Sequence, residues 1–349
     1  MTLKNDDTEY KENREFPELN HGSKKSLEPI LNKLKKEFGE TVQVGNVVRN
    51  IDSVTTGSLA LDIATGIGGY PRGRISQIAG WESSGKTTHA LKAVAAVQER
   101  GGLAAFIDTE YALDPAWAEK QGVNINDLVW LQIDDLETAG ETAVDLADSG
   151  ELDMIIFDSV AGAPIKAVVE GELGDSNMGK RAKIMSDFMP KLNGPVSRNN
   201  VWMIFTNQLR DSLNPYQPKP IRPGGHALDF HSSMIIDIKA KKEKTKSEGV
   251  EIKANVDKNK LSAPFKNAEY YMDFTGYIDP VVEASNILTN SDFFEVLGVE
   301  RAGAWYTLPS EVFQGENRFQ GQNKIMEALA EIDVLESVVD YIRSKLLSL

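Results

Sequence analysis

The sequence predicts an α/β fold with a mainly parallel central sheet covered by helices on both faces. Two observations carry this expectation. Apolar strand-like runs alternate with helical patterns from about residue 49 onward, and the run at 153–158 (DMIIFD) has the unbroken apolar middle of a buried strand. In order, 74–80 (RISQIAG) reads as a strand and 86–100 as a helix. Residues 103–110 (LAAFIDTE) read as a strand with a helix from Pro115, and 128–133 as a strand with a helix over 137–147. Further strands follow at 153–158, 201–207 (VWMIFTN) and 234–239, and the runs at 251–259 and 269–275 look like antiparallel additions. From about residue 284 the pattern changes to a small module ending in a helix, with Leu335, Val338, Val339, Ile342 and Leu346 on one face.

The first 22 residues are polar and charged, which predicts disorder rather than a signal peptide or membrane span. An amphipathic helix comes next. Leu27, Ile30, Leu31, Leu34 and Phe38 repeat at helical spacing among Lys24, Lys25, Lys33, Lys35 and Lys36, and Gly39 is a natural stop. Its apolar stripe must pack on its own domain or on a neighbouring subunit. The expected organisation is a disordered N-terminus (1–22), a helical arm (23–48), a central core (49–284) and a C-terminal α/β module (285–349). No eighteen-residue apolar run occurs, so a cytoplasmic protein with no membrane partner is expected.

A chain of 349 residues can bury a large core. It has no cysteine, which excludes disulfides, a thiol nucleophile, Cys-ligated zinc and iron–sulfur clusters. Four scattered histidines argue against a His-rich metal site. The net charge of −14 argues against a uniformly basic nucleic-acid binder, but its distribution is uneven. Residues 101–175 sum to −15 and residues 279–349 to −7, whereas 176–266 sum to +9.

Gly80, Trp81, Glu82, Ser83, Ser84, Gly85, Lys86 and Thr87 fit the pattern G-x-x-x-x-G-K-[ST], followed by Thr88, with a strand before and a helix after. Such a loop turns backbone N–H groups toward phosphate oxygens, and the helix N-terminus adds partial positive charge. Lys86 is placed to act as a point charge on the β- and γ-phosphates of ATP, and the Thr87 hydroxyl to ligate Mg²⁺. Asp158, ending DMIIFD, fits the second metal-side carboxylate. Glu110 ends LAAFIDTE and is a candidate general base for the attacking water. Asp108 lies two residues earlier on the same face, and the pattern alone leaves the two open.

The segments TTGSLALDIATGIGGYPRGR, GWESSGKTT, AFIDTEYALDPAWAEKQGV, FDSVAGAPIKAVVEGELGDSNMG, FTNQLR, PGGHALDF, DKNKLSAPFKNAEY and RAGAWY together resemble the bacterial RecA recombinases, in order from about Asn50 to Tyr306. The resemblance implies a RecA-like P-loop NTPase core. It also implies a DNA-dependent, Mg²⁺-requiring ATPase that forms a helical homo-filament on single-stranded DNA, pairs it with homologous double-stranded DNA and exchanges strands. It assigns Glu110 rather than Asp108 as the catalytic glutamate, and Asp158 as the Walker B aspartate. It places Asp114 and Trp117 beside the adenine and Gln208 as the γ-phosphate sensor. Lys258 and Lys260 match lysines that reach the neighbouring subunit's ATP.

The resemblance further implies two DNA-binding loops. One spans about 170–179 and continues into basic residues, giving Met178, Gly179, Lys180, Arg181 and Lys183. The other spans 209–225, with Arg210, Lys219, Arg222, Gly224 and Gly225. A long proline- and glycine-rich stretch between strands reads as a functional loop, and its cations would neutralise phosphates without reading sequence. Departures from the family pattern mark a divergent member. Trp81 replaces a proline, Asp229 replaces a lysine, Asp187 and Pro190 fall where the helix after the first loop normally continues with basic or neutral residues, and the second loop (RDSLNPYQPKPIRP) is unlike the usual one. The rival readings are a ring motor or helicase built on the same core, and a nucleotide-switched DNA-binding scaffold without strand exchange.

Overall fold

The computed structural model describes residues 24–38, 51–169, 177–212, 220–242, 248–313 and 317–347. The expectations for residues 1–22, 39–50 and 170–176 and for Lys219 lie outside them. The chain divides into two units, Met1–Asn50 and Ile51–Leu349. In the first, α1 (Lys24–Phe38) is amphipathic, with Leu27 and Ile30 exposed and Lys35 and Lys36 in its last turn.

The second unit opens with β1 (Ser53–Val54), α2 (Leu59–Thr65) and β2 (Tyr70–Pro71). Alternation begins with β3 (Arg74–Gly80), α3 (Lys86–Glu99), β4 (Ala104–Asp108), α4 (Pro115–Lys120), β5 (Leu128–Gln132), α5 (Leu136–Ser149) and β6 (Met154–Asp158). It continues with α6 (Lys166–Val169), α7 (Asn177–Arg198), β7 (Trp202–Gln208), α8 (His226–His231), β8 (Met234–Lys242), β9 (Gly249–Asn259) and β10 (Asn267–Asp273). The remainder is α9 (Pro280–Thr289), α10 (Phe294–Leu297), β11 (Glu300–Ala302), β12 (Trp305–Thr307), β13 (Arg318–Gln320), α11 (Gly321–Ala328) and α12 (Ile332–Leu346).

The central sheet has the order β10-β9-β8-β3-β7-β6-β4-β5. Its pairs from β8 to β5 are parallel, and β9 and β10 extend one edge antiparallel. Strand alternation sends Ile78, Phe106, Ile156 and Ile204 to one face, where α3 supplies Ala90, Leu91, Ala93 and Val94. Ile75, Ile107, Phe157 and Phe205 go to the other face, against α5 and α7. There the rings of Phe157 and Phe205 lie 5.2 Å apart and Phe188 of α7 packs on both. A third cluster joins α2 to the C-terminal module, with Leu59 and Ile63 packed among residues such as Ile287, Leu335, Val338 and Ile342.

Two local expectations change. The strand expected over 103–110 stops at Asp108, because the Asp108 carboxylate accepts the N–H groups of Glu110, Ala112 and Leu113 and turns the chain. Glu110 therefore lies in the turn beyond the strand. The first loop does not reach residue 179 as expected, because Met178, Gly179, Lys180, Arg181 and Lys183 belong to α7. The reason is the spacing of Met185, Phe188, Met189, Leu192 and Val196, all buried on one helical face.

Two buried polar links brace α2 and α3. His89 of α3 is fully buried, with Nδ1 2.7 Å from the Thr56 carbonyl and Nε2 2.8 Å from the Tyr270 hydroxyl. A carbonyl only accepts, so Nδ1 carries the proton and Nε2 accepts from Tyr270. Burial holds His89 neutral, with its pKa down to about 4. Glu283 of α9 accepts from the Ser58 hydroxyl and from the backbone N–H groups of Leu59 and Ala60, at the start of α2. Burial raises its carboxyl from 4.5 to about 7 against these donors.

The folded chain holds the Glu283 proton more tightly than the unfolded chain, so this contribution is complete below about 4.5 and is lost as pH rises through about 7. The stability advantage of the wild type over Glu283→Gln should shrink by on the order of 2 kcal/mol across that window. Denaturant titrations at its two ends measure the difference, and a constant advantage would contradict the assignment.

Candidate active site

Parallel alternation brings one set of side chains to the carboxyl ends of adjacent strands. Asp108 of β4, Asp158 of β6 and Thr206 of β7 share the sheet face that α3 covers, because each lies two residues beyond an apolar residue of that face. Gln208 pairs with Gly80 across the β7–β3 ladder, at the entrance to the phosphate loop.

The loop itself is tightly specified. A Cβ on Gly80 would lie 2.4 Å from Ser84 Oγ and 2.6 Å from the Ile238 carbonyl. Gly85 has φ +92°, which suits glycine, and it opens α3 without a side-chain cap. The first-turn N–H groups thus point outward from the helix start, as an anion site requires. The Lys86 ammonium donates to the Trp81 carbonyl at 2.8 Å. Burial lowers the Lys86 pKa, and the nearby carboxylates of Asp158, Glu110 and Glu82 oppose that shift. Trp81, Glu82 and Ser83 are exposed along the loop, and Thr88 is buried beneath it.

Asp158 is the centre of the polar arrangement. Its Oδ2 accepts from the Thr87 hydroxyl at 2.7 Å, and its Oδ1 accepts from the Thr206 hydroxyl. Burial pushes its carboxyl up, and the two hydroxyl donors pull it down. Glu110 is exposed, with Oε1 accepting from the Ser159 hydroxyl. Asp114 caps α4 by accepting the Ala116 N–H at 2.9 Å. Trp117 is half-buried against the core face beneath α4.

The structure brings Lys86, Thr87, Asp158, Glu110 and Gln208 to one rim of the sheet. Lys258 and Lys260 lie on and just beyond β9, and their contacts go elsewhere. The Lys258 ammonium donates to the carbonyls of Asp229 and Phe230, and Lys260 to that of Phe230 at 3.2 Å, at the carboxyl end of α8.

The basic residues expected on DNA divide into groups. Lys180 and Lys183 are exposed on α7, as is Gly179. Arg181 donates to the Val160 and Ala161 carbonyls, and Arg210 to the Ala161 carbonyl. Arg210 and Ile221 form an antiparallel bridge that closes the base of the second loop. Gly224 and Gly225 have positive φ and lie close to Val160 and Ala182. Lys219 and the side chain of Met178 lie outside the described residues. Arg222 does not fit the expected role. Its guanidinium lies 2.6 Å from Asp237, 2.8 Å from Asp257 and 3.4 Å from Asp229, which raises its pKa further and occupies the charge.

Motifs alone do not single out Ser159 or Thr206, and they leave Asp108 as no more than a rival to Glu110. A hydroxyl inside the apolar run VWMIFTN is a usable signal for Thr206, since a buried hydroxyl needs a partner. Ser159 follows the motif aspartate directly, but its contact with Glu110 joins two distant loops.

Residues 25–279 match the family model described as RecA N-terminal domain. The chain is 40% identical over 338 residues to Protein RecA of Thermus aquaticus, covering 94% of this chain and 95% of that protein. Protein RecA of Thermus thermophilus matches with the same identity and coverage. Protein RecA of Acinetobacter baumannii is also 40% identical, with 95% of this chain and 94% of that protein covered.

Arg222→Ala would leave Asp237 and Asp257 without their shared cation. It should lower the unfolding free energy by about 2 kcal/mol, read by chemical denaturation. The salt dependence of polynucleotide binding should stay unchanged, whereas loss of a phosphate contact would reduce the slope by about one.

Proposed function

The chain belongs to the RecA family, and we propose from that premise that it acts as an ATP-bridged helical filament on single-stranded DNA, pairing that strand with a homologous duplex. It is a recombinase and a DNA-dependent ATP hydrolase. A ring motor, or a scaffold without strand exchange, is not favoured, because the likeness to RecA proteins extends over nearly the whole chain. Nucleotide binding follows from the family, with magnesium its general companion.

The observation that carries the catalytic reading is the Thr87–Asp158 contact of 2.7 Å beside Lys86 and the uncapped start of α3. The hydroxyl and carboxylate are hard oxygen donors on one face, a set that suits Mg²⁺ held jointly with phosphate oxygens. When bound, the ion would neutralise charge on the β- and γ-phosphates. Lys86 would leave the Trp81 carbonyl for the phosphates, exchanging a partial charge for a full one. Glu110 would take the proton of the attacking water, and Gln208 would hydrogen-bond the γ-phosphate from the adjacent strand end. Trp117 would pack near the adenine, with Asp114 beside it. Lys258 and Lys260 would stabilise the transferring phosphoryl group of a neighbouring subunit, so hydrolysis would require assembly. Lys180 and Lys183, exposed on α7, would meet phosphates of single- or double-stranded DNA.

The decisive experiment is ATP turnover with and without single-stranded DNA, with negative-stain imaging of the same samples. DNA-stimulated turnover and helical filaments are expected. DNA-indifferent turnover with closed rings would overturn the reading. Lys86→Ala should abolish hydrolysis and ATP-dependent assembly. Lys258→Ala should cut DNA-stimulated turnover by about 10²-fold or more, as loss of a transition-state cation does, while nucleotide binding by the single subunit persists.

A further inference from the structure

We propose that Ser159 and Gly162 form a seat for the Glu110 side chain, and that Ser159 is a positioning residue for ATP hydrolysis. This inference rests on the reading of Glu110 as the general base.

The Ser159 hydroxyl donates to Glu110 Oε1. Ser159 Oγ in turn accepts the Gly162 N–H at 3.0 Å, which turns the hydroxyl proton toward the glutamate. Gly162 completes the seat by lacking a side chain. A Cβ there would lie 2.3 Å from Glu110 Cγ, 2.6 Å from Oε1 and 2.8 Å from Cδ, and these are its three nearest atoms. Gly162 is not among the glycines with positive φ, so its backbone does not require glycine. The space above it is occupied by Glu110.

The two sides of the seat are also tied through the backbone. The Thr109 N–H donates to the Asp158 carbonyl at 2.8 Å, and the Thr109 hydroxyl donates to the Ser159 carbonyl at 2.9 Å. The Ser159 N–H returns a bond to Thr109 Oγ1 at 3.1 Å. Consecutive residues therefore serve the two halves of the site. Asp158 faces Thr87, and Ser159 faces Glu110.

An exposed glutamate has several side-chain torsions and samples many positions. A general base must present one oxygen along one direction to a water. Holding Oε1 in the seat leaves Oε2 as the oxygen that meets the water, without a search over rotamers.

The test is steady-state hydrolysis by the full chain on single-stranded DNA. Ser159→Ala should lower kcat about tenfold with the KM for ATP unchanged, because a misplaced base costs rate rather than binding. Ser159→Thr, which keeps the hydroxyl, should restore most of the rate. Gly162→Ala, which evicts the glutamate without backbone strain, should mimic Ser159→Ala. In a Glu110→Gln background, Ser159→Ala should cost nothing further, because it acts through Glu110. Full turnover by Glu110→Gln would overturn the base reading and the seat with it. A Glu110→Gln enzyme reduced to a small residual turnover beside normal Ser159→Ala and Gly162→Ala enzymes would overturn the seat alone. So would an increase in turnover on removing the hydroxyl, or an equal loss in both backgrounds.

Discussion

A carboxylate taken out of water must find donors or give up its charge. Asp158 is buried at the end of β6, and its donors come from two other elements: Thr87 at the start of α3 and Thr206 on β7. That requirement fixes the placement of the phosphate loop relative to the sheet. β7 lies between β3 and β6 in the sheet order, so Thr206 reaches Asp158 while Gln208, two residues later on the same face, stands beside Gly80. The helix is pinned by a hydroxyl one residue beyond Lys86. The loop glycines then shape the backbone around a position that the carboxylate has already set.

The parts of this arrangement that are legible in the sequence are those encoded by neighbours along the chain. The glycine spacing from Gly80 to Thr87, the apolar strand ending at Asp158 and the alternation of strands and helices are all local patterns, and the eight-stranded sheet reproduces them. Asp108 against Glu110 is not decidable this way. The distinction lies in a turn in which Asp108 binds three backbone N–H groups and leaves Glu110 to project beyond the strand. The start of α7 is hidden for a similar reason. The glycine and basic residues at 179–183 look like loop until the buried stripe from Met185 to Val196 is placed on the sheet.

Arg222 shows a different limit. Its three carboxylate partners sit at 229, 237 and 257, on α8, β8 and β9. Only the antiparallel pairing of β8 with β9 brings Asp237 and Asp257 to the same guanidinium. A segment sum of charge cannot see such internal pairing. The net +9 of residues 176–266 already subtracts Asp229, Asp237 and Asp257, but it does not show that Arg222 is the cation they hold, whereas Arg181 and Arg210 keep their full charge on carbonyl partners.

Lys258 and Lys260 fall between these cases. Their ammonium groups rest on carbonyls at the carboxyl end of α8. A triphosphate oxygen carries more charge than a carbonyl and binds an ammonium more strongly. In the proposed filament, these ammonium groups would exchange a carbonyl for a phosphate oxygen of the neighbour's nucleotide. Asp229 adds a restraint from the same helix, because its carboxylate meets Arg222 while its carbonyl holds Lys258. One short helix thus connects the end of the second loop to the cations that would act across a subunit boundary.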